Sequence, residues 1–398
     1  MPLSGIRVVD LTRIIAGPFC TQLLADLGAE VIKIEPPGRG DPVRGQGAIR
    51  DGLSWYFAQF NRNKKSITLD LYKDEGRAVL ADLIRRADVL VENYRPGVLA
   101  RMGFDAARLA ALNPALIVGS VNGYGSTGPY VDRPAFDFIA QAMSGFMSVT
   151  GAPGEPVRAG PPIADLVAGL YAALGIVAAL LARARGPDGG PGSGQGQRVE
   201  ASLTGGLISM LAYFSAHYLA TGQLPERTGN DHPVVYPYGL FHASDGDVAI
   251  APSTPVHVRR LLETLGLAPL LDDPAFADNA ARVRNRDRLR ELIDERIGAA
   301  TVDAWIERLN GAGVPCGRVM DLRDVFADPQ VLAQEMVLEV EHPGHGPVRM
   351  TGFPVKLGGT PARIRRPAPR LGEHTEAVLR EIGYAAEHIA ELQAAGIV

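Results

Sequence analysis

Asp165 stands alone in Gly160-Pro161-Pro162-Ile163-Ala164-Asp165-Leu166, and the 17 residues from Leu166 to Ala182 that follow it carry no charge. A carboxylate at the polar edge of an apolar helix has two uses. It can accept the free backbone N–H groups of the helix start, a role that Asp fills well and often. It can also be a nucleophile held at the mouth of a pocket. Caps far outnumber nucleophiles, and the local pattern leaves both uses open.

Three other stretches carry residue types suited to chemistry. Asn61-Arg62-Asn63-Lys64-Lys65-Ser66 places three cations ahead of the alternating run Ile67–Leu71. They would neutralise a phosphate, or simply form a solvated turn, which is the commoner fate of a charge run. Glu92-Asn93-Tyr94-Arg95-Pro96-Gly97 follows an apolar run, at the strand end where α/β sheets place ligands. There Asn bonds a base or amide, Tyr stacks and Arg pairs with phosphate, or the stretch is a plain loop with a capping Asn. Gly123-Tyr124-Gly125-Ser126 either offers backbone donors or makes a tight turn. Cys20 and Cys316 form no CxxC pattern, so neither a disulfide framework nor a zinc site is expected.

Strands and helices alternate around these residues. Strands are expected at Ile6–Leu11, Glu30–Ile34, Val89–Glu92 and Ala115–Val121. Helices are expected at Pro18–Leu27, Asp74–Ala87 and Asp105–Leu112. That order implies right-handed crossovers and a mostly parallel sheet, an α/β fold. The first βα junction, Leu11-Thr12-Arg13-Ile14-Ile15-Ala16-Gly17-Pro18, lacks the G-x-G-x-x-G of dinucleotide folds, which argues against NAD or FAD. The uncharged run Leu166–Ala182, with Gly169 and Gly175, is short for a membrane span and suits a core helix; the Gly- and Pro-rich stretch Arg185–Arg198 after it reads as an exposed loop.

A connection from Gly222 to Tyr238 leads into a second, smaller α+β unit. It holds a strand–turn–strand at Phe241–Ala251 and helices at Val256–Leu265, Arg282–Ala299 and Thr301–Ala312. Beyond about Asp321 the chain reads as irregular until the short helices Thr375–Ile382 and Ala386–Ala394. The expected division is therefore 1–221 for a large domain, 222–325 for the small one, and 326–398 as a segment returning to the large domain. A length of 398 residues, 46% hydrophobic and 21% charged with a net charge of −4, fits a globular protein and argues against nucleic-acid or anionic-membrane binding. The first residues, Met1-Pro2-Leu3-Ser4-Gly5, lack a secretory pattern, so a cytoplasmic location is expected.

These pieces, in this order, resemble the class III CoA-transferases, the CaiB/BaiF family. The resemblance is carried by Leu3-x-Gly5-Ile6-Arg7-Val8-Val9-Asp10, Gly28-Ala29-Glu30-Val31-Ile32-Lys33-Ile34-Glu35 and Asn63-Lys64-Lys65-Ser66-Ile67. It continues through the Glu92–Gly97 stretch, the Ala164-Asp165 helix start, Gly313-Val314-Pro315-Cys316 and Leu371-Gly372-Glu373-His374-Thr375. Together these span almost the whole chain.

The resemblance implies a Rossmann-like large domain with a smaller α+β domain, in two chains interlinked as a homodimer. It implies no tightly bound cofactor and a coenzyme A thioester as substrate. Asp165 would be the nucleophile, and the CoA would run past Ile15, Leu69, Tyr72, Asn93, Tyr94, Arg95 and Arg101. Phe136 would lie beside the thioester with Asp137 next to it. Racemases of the family carry a histidine where Phe136 stands, so racemase or isomerase is the weaker reading. The family's formyl-CoA:oxalate transferases carry a glutamine at the position of Ile15 and a glycine-rich lid not found here, which argues against oxalate. The expected substrates are dicarboxylates such as succinate, glutarate, malate, citramalate, itaconate or mesaconate, with transfer between the two carboxylates of one acid as a variant. Arg13, Arg44, Arg50 and Arg158 are candidate counter-ions for a distal carboxylate, none of them assigned.

Overall fold

A computed structural model describes every residue except Pro187, Asp188, Gly189 and Pro191. The strands that matter to the site are short and mostly apolar: β1 (Arg7–Asp10), β2 (Glu30–Glu35), β3 (Lys64–Thr68), β4 (Val89–Glu92), β5 (Ile117–Asn122) and β6 (Arg198–Ser202). They form a parallel sheet in the order β3-β2-β1-β4-β5-β6. The order runs one way from β1 and the other way from β4, as in a doubly wound fold, where ligands settle beyond the strand ends at the reversal.

Strands buried on both faces need apolar residues at successive positions rather than alternate ones, and Val8-Val9 and Val89-Leu90-Val91 supply them. Val8, Val31, Val89 and Val91 face a layer built by α1 (Ala16–Asp26) and α4 (Ile163–Ala184), with α3 (Asp137–Met143) packed beside it. Val9, Ile32, Ile67 and Leu90 face the opposite layer, to which α2 (Asp74–Ile84) contributes Val79, Leu80, Leu83 and Ile84. The contact between α1 and α4 is close because small residues line it. A Cβ added at Gly169 would lie 2.5 Å from the Ala16 carbonyl oxygen.

The Cα packing divides the chain into two units. One comprises Met1–Phe146, Ala159–Leu211 and Gln330–Val398; the other comprises Met147–Arg158 and Ala212–Pro329. These limits differ from the expected 222 and 325, because Met147–Arg158 and the helix Tyr213–Thr221 fall with the second unit. That unit holds β7 (Gly239–Ala243), β8 (Gly246–Ile250) and β9 (Cys316–Arg318), antiparallel in the order β9-β8-β7, with α5 (Pro255–Thr264), α6 (Arg286–Ile297) and α7 (Val302–Gly311). Phe241, Val248, Leu261, Leu289, Ile293, Trp305 and Leu309 form its core.

Several expectations are corrected. The chain beyond Asp321 is ordered: it forms the helices Leu322–Ala327 and Pro329–Ala333 and the hairpin β10 (Val337–His342) and β11 (Gly346–Thr351) before α8 (Thr375–Glu381) and α9 (Ala386–Ala394). The alternation in β10 and β11 was the available signal, since Val340, Val348 and Met350 point to one apolar cluster. The expected loop Arg185–Arg198 falls partly on Pro187, Asp188, Gly189 and Pro191, which lie outside the described residues, and its last residue opens β6. Helix α4 is longer than the uncharged run, and its 22 residues reach the length and hydropathy of a bilayer span. Only one face of it is core: Ala164, Val167, Ala168, Ala172 and Ile176 are buried, while Leu170, Leu174 and Leu181 are exposed.

The cation run is neither a solvated turn nor a free phosphate site. Lys64 and Lys65 are strand residues of β3, and Arg62 and Lys64 are buried in ion pairs, Arg62 with Asp26 at 2.8 Å and Lys64 with Asp10 at 3.2 Å. A buried charge persists only with a partner. Those partners, Asp10 and Asp26, lie far away in sequence.

Candidate active site

The ends of β1, β4 and β5, at the reversal of strand order, open into a cavity. Arg13–Ala16, Asn93–Pro96 and Val121–Gly125 line it, together with Val131, Arg133–Phe136, Asp165 and Leu203. All of these residues belong to the first unit.

Asp165 sits in the first turn of α4 and is not its cap: the capping position is Pro162, which offers no side-chain acceptor. The cap comes from another element. Asp137, buried at the start of α3, accepts from the Ala164 N–H at 2.7 Å, with the Asp165 N–H at 3.4 Å. Its second oxygen accepts from Gln141 Nε2 at 2.7 Å, and Gln141 Oε1 accepts from the Ala159 N–H at 2.8 Å. With the helix start already satisfied, the Asp165 carboxylate has no hydrogen-bond partner among the described residues and faces the cavity. Burial, then the negative charge of Asp137, pushes its pKa up from 3.8 to about 7. An exposed cap has no reason to be so basic, whereas a nucleophilic carboxylate gains from it.

The cavity favours anions. Arg13, Arg95 and Arg133 line it, and among the described residues no ion pair holds any of the three and Asp165 is the sole acid in the lining. Arg13 lies 6.0 Å from the Tyr94 ring centre and Arg133 lies 3.9 Å from that of Tyr130. Arg133 was not singled out from sequence. Gly123-Tyr124-Gly125, read there as backbone donors or a tight turn, lies in the lining; Gly123 follows β5 directly and a Cβ there would lie 2.4 Å from Ala135 Cβ.

The other expected residues fall into distinct groups. Ile15, Tyr94, Arg95 and Phe136 all line the cavity, with Phe136 72% exposed. Asn93 lines it too, but its amide is engaged: Oδ1 accepts from the Arg13 N–H at 3.0 Å and Nδ2 donates to the Arg13 carbonyl at 2.8 Å. It braces the β1 loop and is not free to read a base. The Leu69 side chain is 2% exposed and belongs to the core, so it has no side-chain surface to offer a nucleotide. Tyr72, 94% exposed, and Arg101, exposed on the short helix Val98–Arg101, lie outside this cavity.

Of the candidate counter-ions, Arg13 alone lines the cavity. Arg44 is committed elsewhere: it forks onto Glu35 with two bonds of 2.7 Å, donates to the Pro369 carbonyl and stacks 3.7 Å from the Phe57 ring centre. Arg50 is exposed beside Trp55, and Arg158 belongs to the second unit. Tyr56 is a further residue not singled out from sequence. Burial, then the charges of Asp165 and Asp41, raises its pKa to about 12.

Residues 3–375 match the family described as CoA-transferase family III. The chain is 39% identical to a succinate–glutarate CoA-transferase of Agrobacterium fabrum, covering 96% of each. It is 40% identical to an acetyl-CoA:oxalate CoA-transferase of Acetobacter aceti, covering 96% of this chain and 95% of that protein. A crystal structure of a CaiB/BaiF family protein from Brucella suis superposes with a TM-score of 0.84 at 38% identity, over 96% of this chain and 99% of the other.

Proposed function

This chain belongs to CoA-transferase family III, and from that premise we propose that it moves coenzyme A between dicarboxylic acids through covalent intermediates on Asp165. The observation that carries the reading is the Asp165 carboxylate itself, uncapped, raised in basicity and set in a cavity lined by unpaired guanidinium groups. The dicarboxylate class rests on the relatives, one named for succinate and glutarate and one for oxalate.

Exchange between acids must conserve the energy of the thioester, and a carboxylate nucleophile does so. Asp165 attacks the acyl carbon of the donor acyl-CoA; the C–S bond breaks, giving a mixed anhydride and CoA thiolate. The thiolate attacks the Asp165 carbonyl carbon and releases the donor acid, leaving aspartyl-CoA. The acceptor carboxylate attacks that thioester, forming a second anhydride and freeing the thiolate, which then takes the acyl group and restores the Asp165 carboxylate. Dividing one exchange into four displacements is covalent catalysis.

Each displacement develops negative charge on an oxygen, which backbone N–H groups stabilise when held in place, by about 3–4 kcal/mol for one donor. The amides at the start of α4 are taken, Ile163 by Pro161, Ala164 by Asp137 and Leu166 by Pro162. Ile15 and Ala16, at the start of α1, line the cavity, and their amides have no acceptor among the described residues. They are the donors we assign to the oxyanion. Arg13, Arg95 and Arg133 supply the positive field for CoA phosphates and substrate carboxylates. Racemisation needs an acid/base partner opposite Asp165, and among the described residues no histidine lines the cavity.

A homodimer is part of the same reading, supported by Leu170, Leu174 and Leu181, which form an exposed apolar stripe on α4. The chemistry is tested by mass spectrometry of the protein incubated with succinyl-CoA, acetyl-CoA and other acyl-CoAs, each with and without succinate, glutarate, citramalate, mesaconate and oxalate. CoA bound covalently to Asp165, discharged by a dicarboxylate, is the expected result. Absence of any adduct with every donor would refute the mechanism.

A further inference from the structure

The β1 loop is strained and heavily braced. Ile14 has φ of +71°, in the left-handed region that a β-branched side chain strongly disfavours. Such a conformation persists only where the surroundings impose it. Here every neighbour does. The Ile14 N–H donates to both Asp41 oxygens, at 3.1 and 3.3 Å. Asp41 is paired with Lys33 at 2.9 Å, and both side chains are almost wholly buried. Lys33 also donates to the Thr12 carbonyl at 2.8 Å. On the preceding residues, Asp10 accepts from the Thr12 N–H at 2.9 Å, and Asn93 brackets both backbone groups of Arg13.

The residues directly after this turn are Ile15 and Ala16, which line the cavity and whose amides have no acceptor among the described residues. The turn at Ile14 therefore decides where those two N–H groups stand, and the Lys33–Asp41 pair holds the turn. We propose that Lys33 and Asp41 are positioning residues: buried away from the cavity, they impose the left-handed turn at Ile14 and so aim the Ile15 and Ala16 amides at the oxygen on which charge develops. The inference rests on the acyl-transfer reading above for its chemistry.

The pattern in the sequence is a lysine within the strand Val31-Ile32-Lys33-Ile34 and an aspartate eight residues on; in the fold both join a buried charged network with Asp10, Glu35 and Lys64, and Glu35 accepts from the Asp41 N–H at 2.9 Å. A buried pair of this kind contributes little to stability against well-packed apolar residues of the same volume, whereas its bonds to the Ile14 N–H and the Thr12 carbonyl fix the geometry of the loop.

Glycine adopts the left-handed region freely, so it separates holding the turn from merely filling space. The test measures the single-turnover rate of CoA-adduct formation on Asp165, with affinity for CoA measured alongside. It compares wild type, Asp41→Asn, Lys33→Met/Asp41→Leu, Ile14→Gly, and each pair variant combined with Ile14→Gly. The pair variants should slow adduct formation at least about tenfold while CoA affinity stays within about threefold, as expected when a transition-state contact alone is misplaced. Ile14→Gly added to either should recover most of the lost rate. Pair variants as fast as wild type, or slow ones that glycine does not recover, overturn the proposal. So does failure of every Asp41 variant to fold, glycine combinations included, because the pair would then be a requirement of the sheet. If wild type itself forms no adduct, the acyl-transfer reading fails instead, a result distinct from all of these.

Discussion

At the scale of the residue, the decisive fact is that Asp165 is released from helix capping by Asp137. Its raised pKa makes a kinetic prediction with a definite sign. The nucleophile is the ionised form, so kcat/KM for the acyl-CoA should rise about tenfold per pH unit below its pKa of about 7 and level off above it. A pH profile of initial rates checks this, and a profile flat from pH 5 to 9 would contradict it. The same shift bears on stability. The folded state keeps a proton on Asp165 that the unfolded chain has lost, so stability falls as pH rises from about 4 to about 7. Asp165→Asn should abolish adduct formation and yet stabilise the fold at pH 8, by on the order of 1–3 kcal/mol. Denaturant titration of both proteins measures that gain, and a destabilised Asn variant would speak against the burial argument.

At the scale of the element, α3 and α4 are coupled through Asp137, which does two separable jobs. Its oxygen caps α4, and its charge raises the Asp165 pKa. Asp137→Asn keeps an acceptor and removes the charge, so the pH midpoint of kcat/KM should move down with little loss of stability. Asp137→Ala removes both, and should add a stability loss of about 1 kcal/mol typical of a missing cap. Equal midpoints for wild type and Asn would show that burial alone sets the basicity of Asp165. The contact between α4 and α1 makes a second element-scale prediction. A methyl at Gly169 meets the Ala16 backbone oxygen, which cannot turn aside as a side chain does. Gly169→Ala should therefore lower stability by about 1–3 kcal/mol and depress adduct formation through displacement of Ala16. An alanine variant as stable and active as wild type would mean that the two helices slide apart freely.

At the scale of the whole molecule, each unit has its own core, and the first is closed by chain from both ends of the sequence. Val378, Leu379, Ile382, Ile389 and Leu392 of α8 and α9 pack on the sheet face that β1, β2 and β3 present. The segment is pinned to β3 and the residues after it, with the His374 N–H donating to the Ser66 carbonyl and the Asp70 N–H to that of Ile397. Its opposite layer leaves Leu170, Leu174 and Leu181 in solvent. Light scattering at micromolar concentration should give twice the 42.3 kDa of one chain, and Leu174→Glu on that stripe should shift the mass toward a single chain. A monomeric wild type would refute the dimer outright.

Local pattern settled much of this protein. The apolar runs Val8-Val9 and Val89-Leu90-Val91 dictated buried parallel strands, because only strands covered on both faces are apolar at successive positions. The position of Asp165 before an uncharged helix marked it as one of two things. Tertiary structure excluded the capping role, since the residue that takes it, Asp137, lies 28 residues earlier in the chain and meets the helix start only in space. The same limit hid the fate of Lys33, Lys64 and Arg62, whose partners Asp41, Asp10 and Asp26 come from other elements. It also hid the commitment of Asn93 to the Arg13 backbone and of Arg44 to Glu35. A side chain's type states which bonds it is able to make, but the folded chain alone determines which partner arrives first.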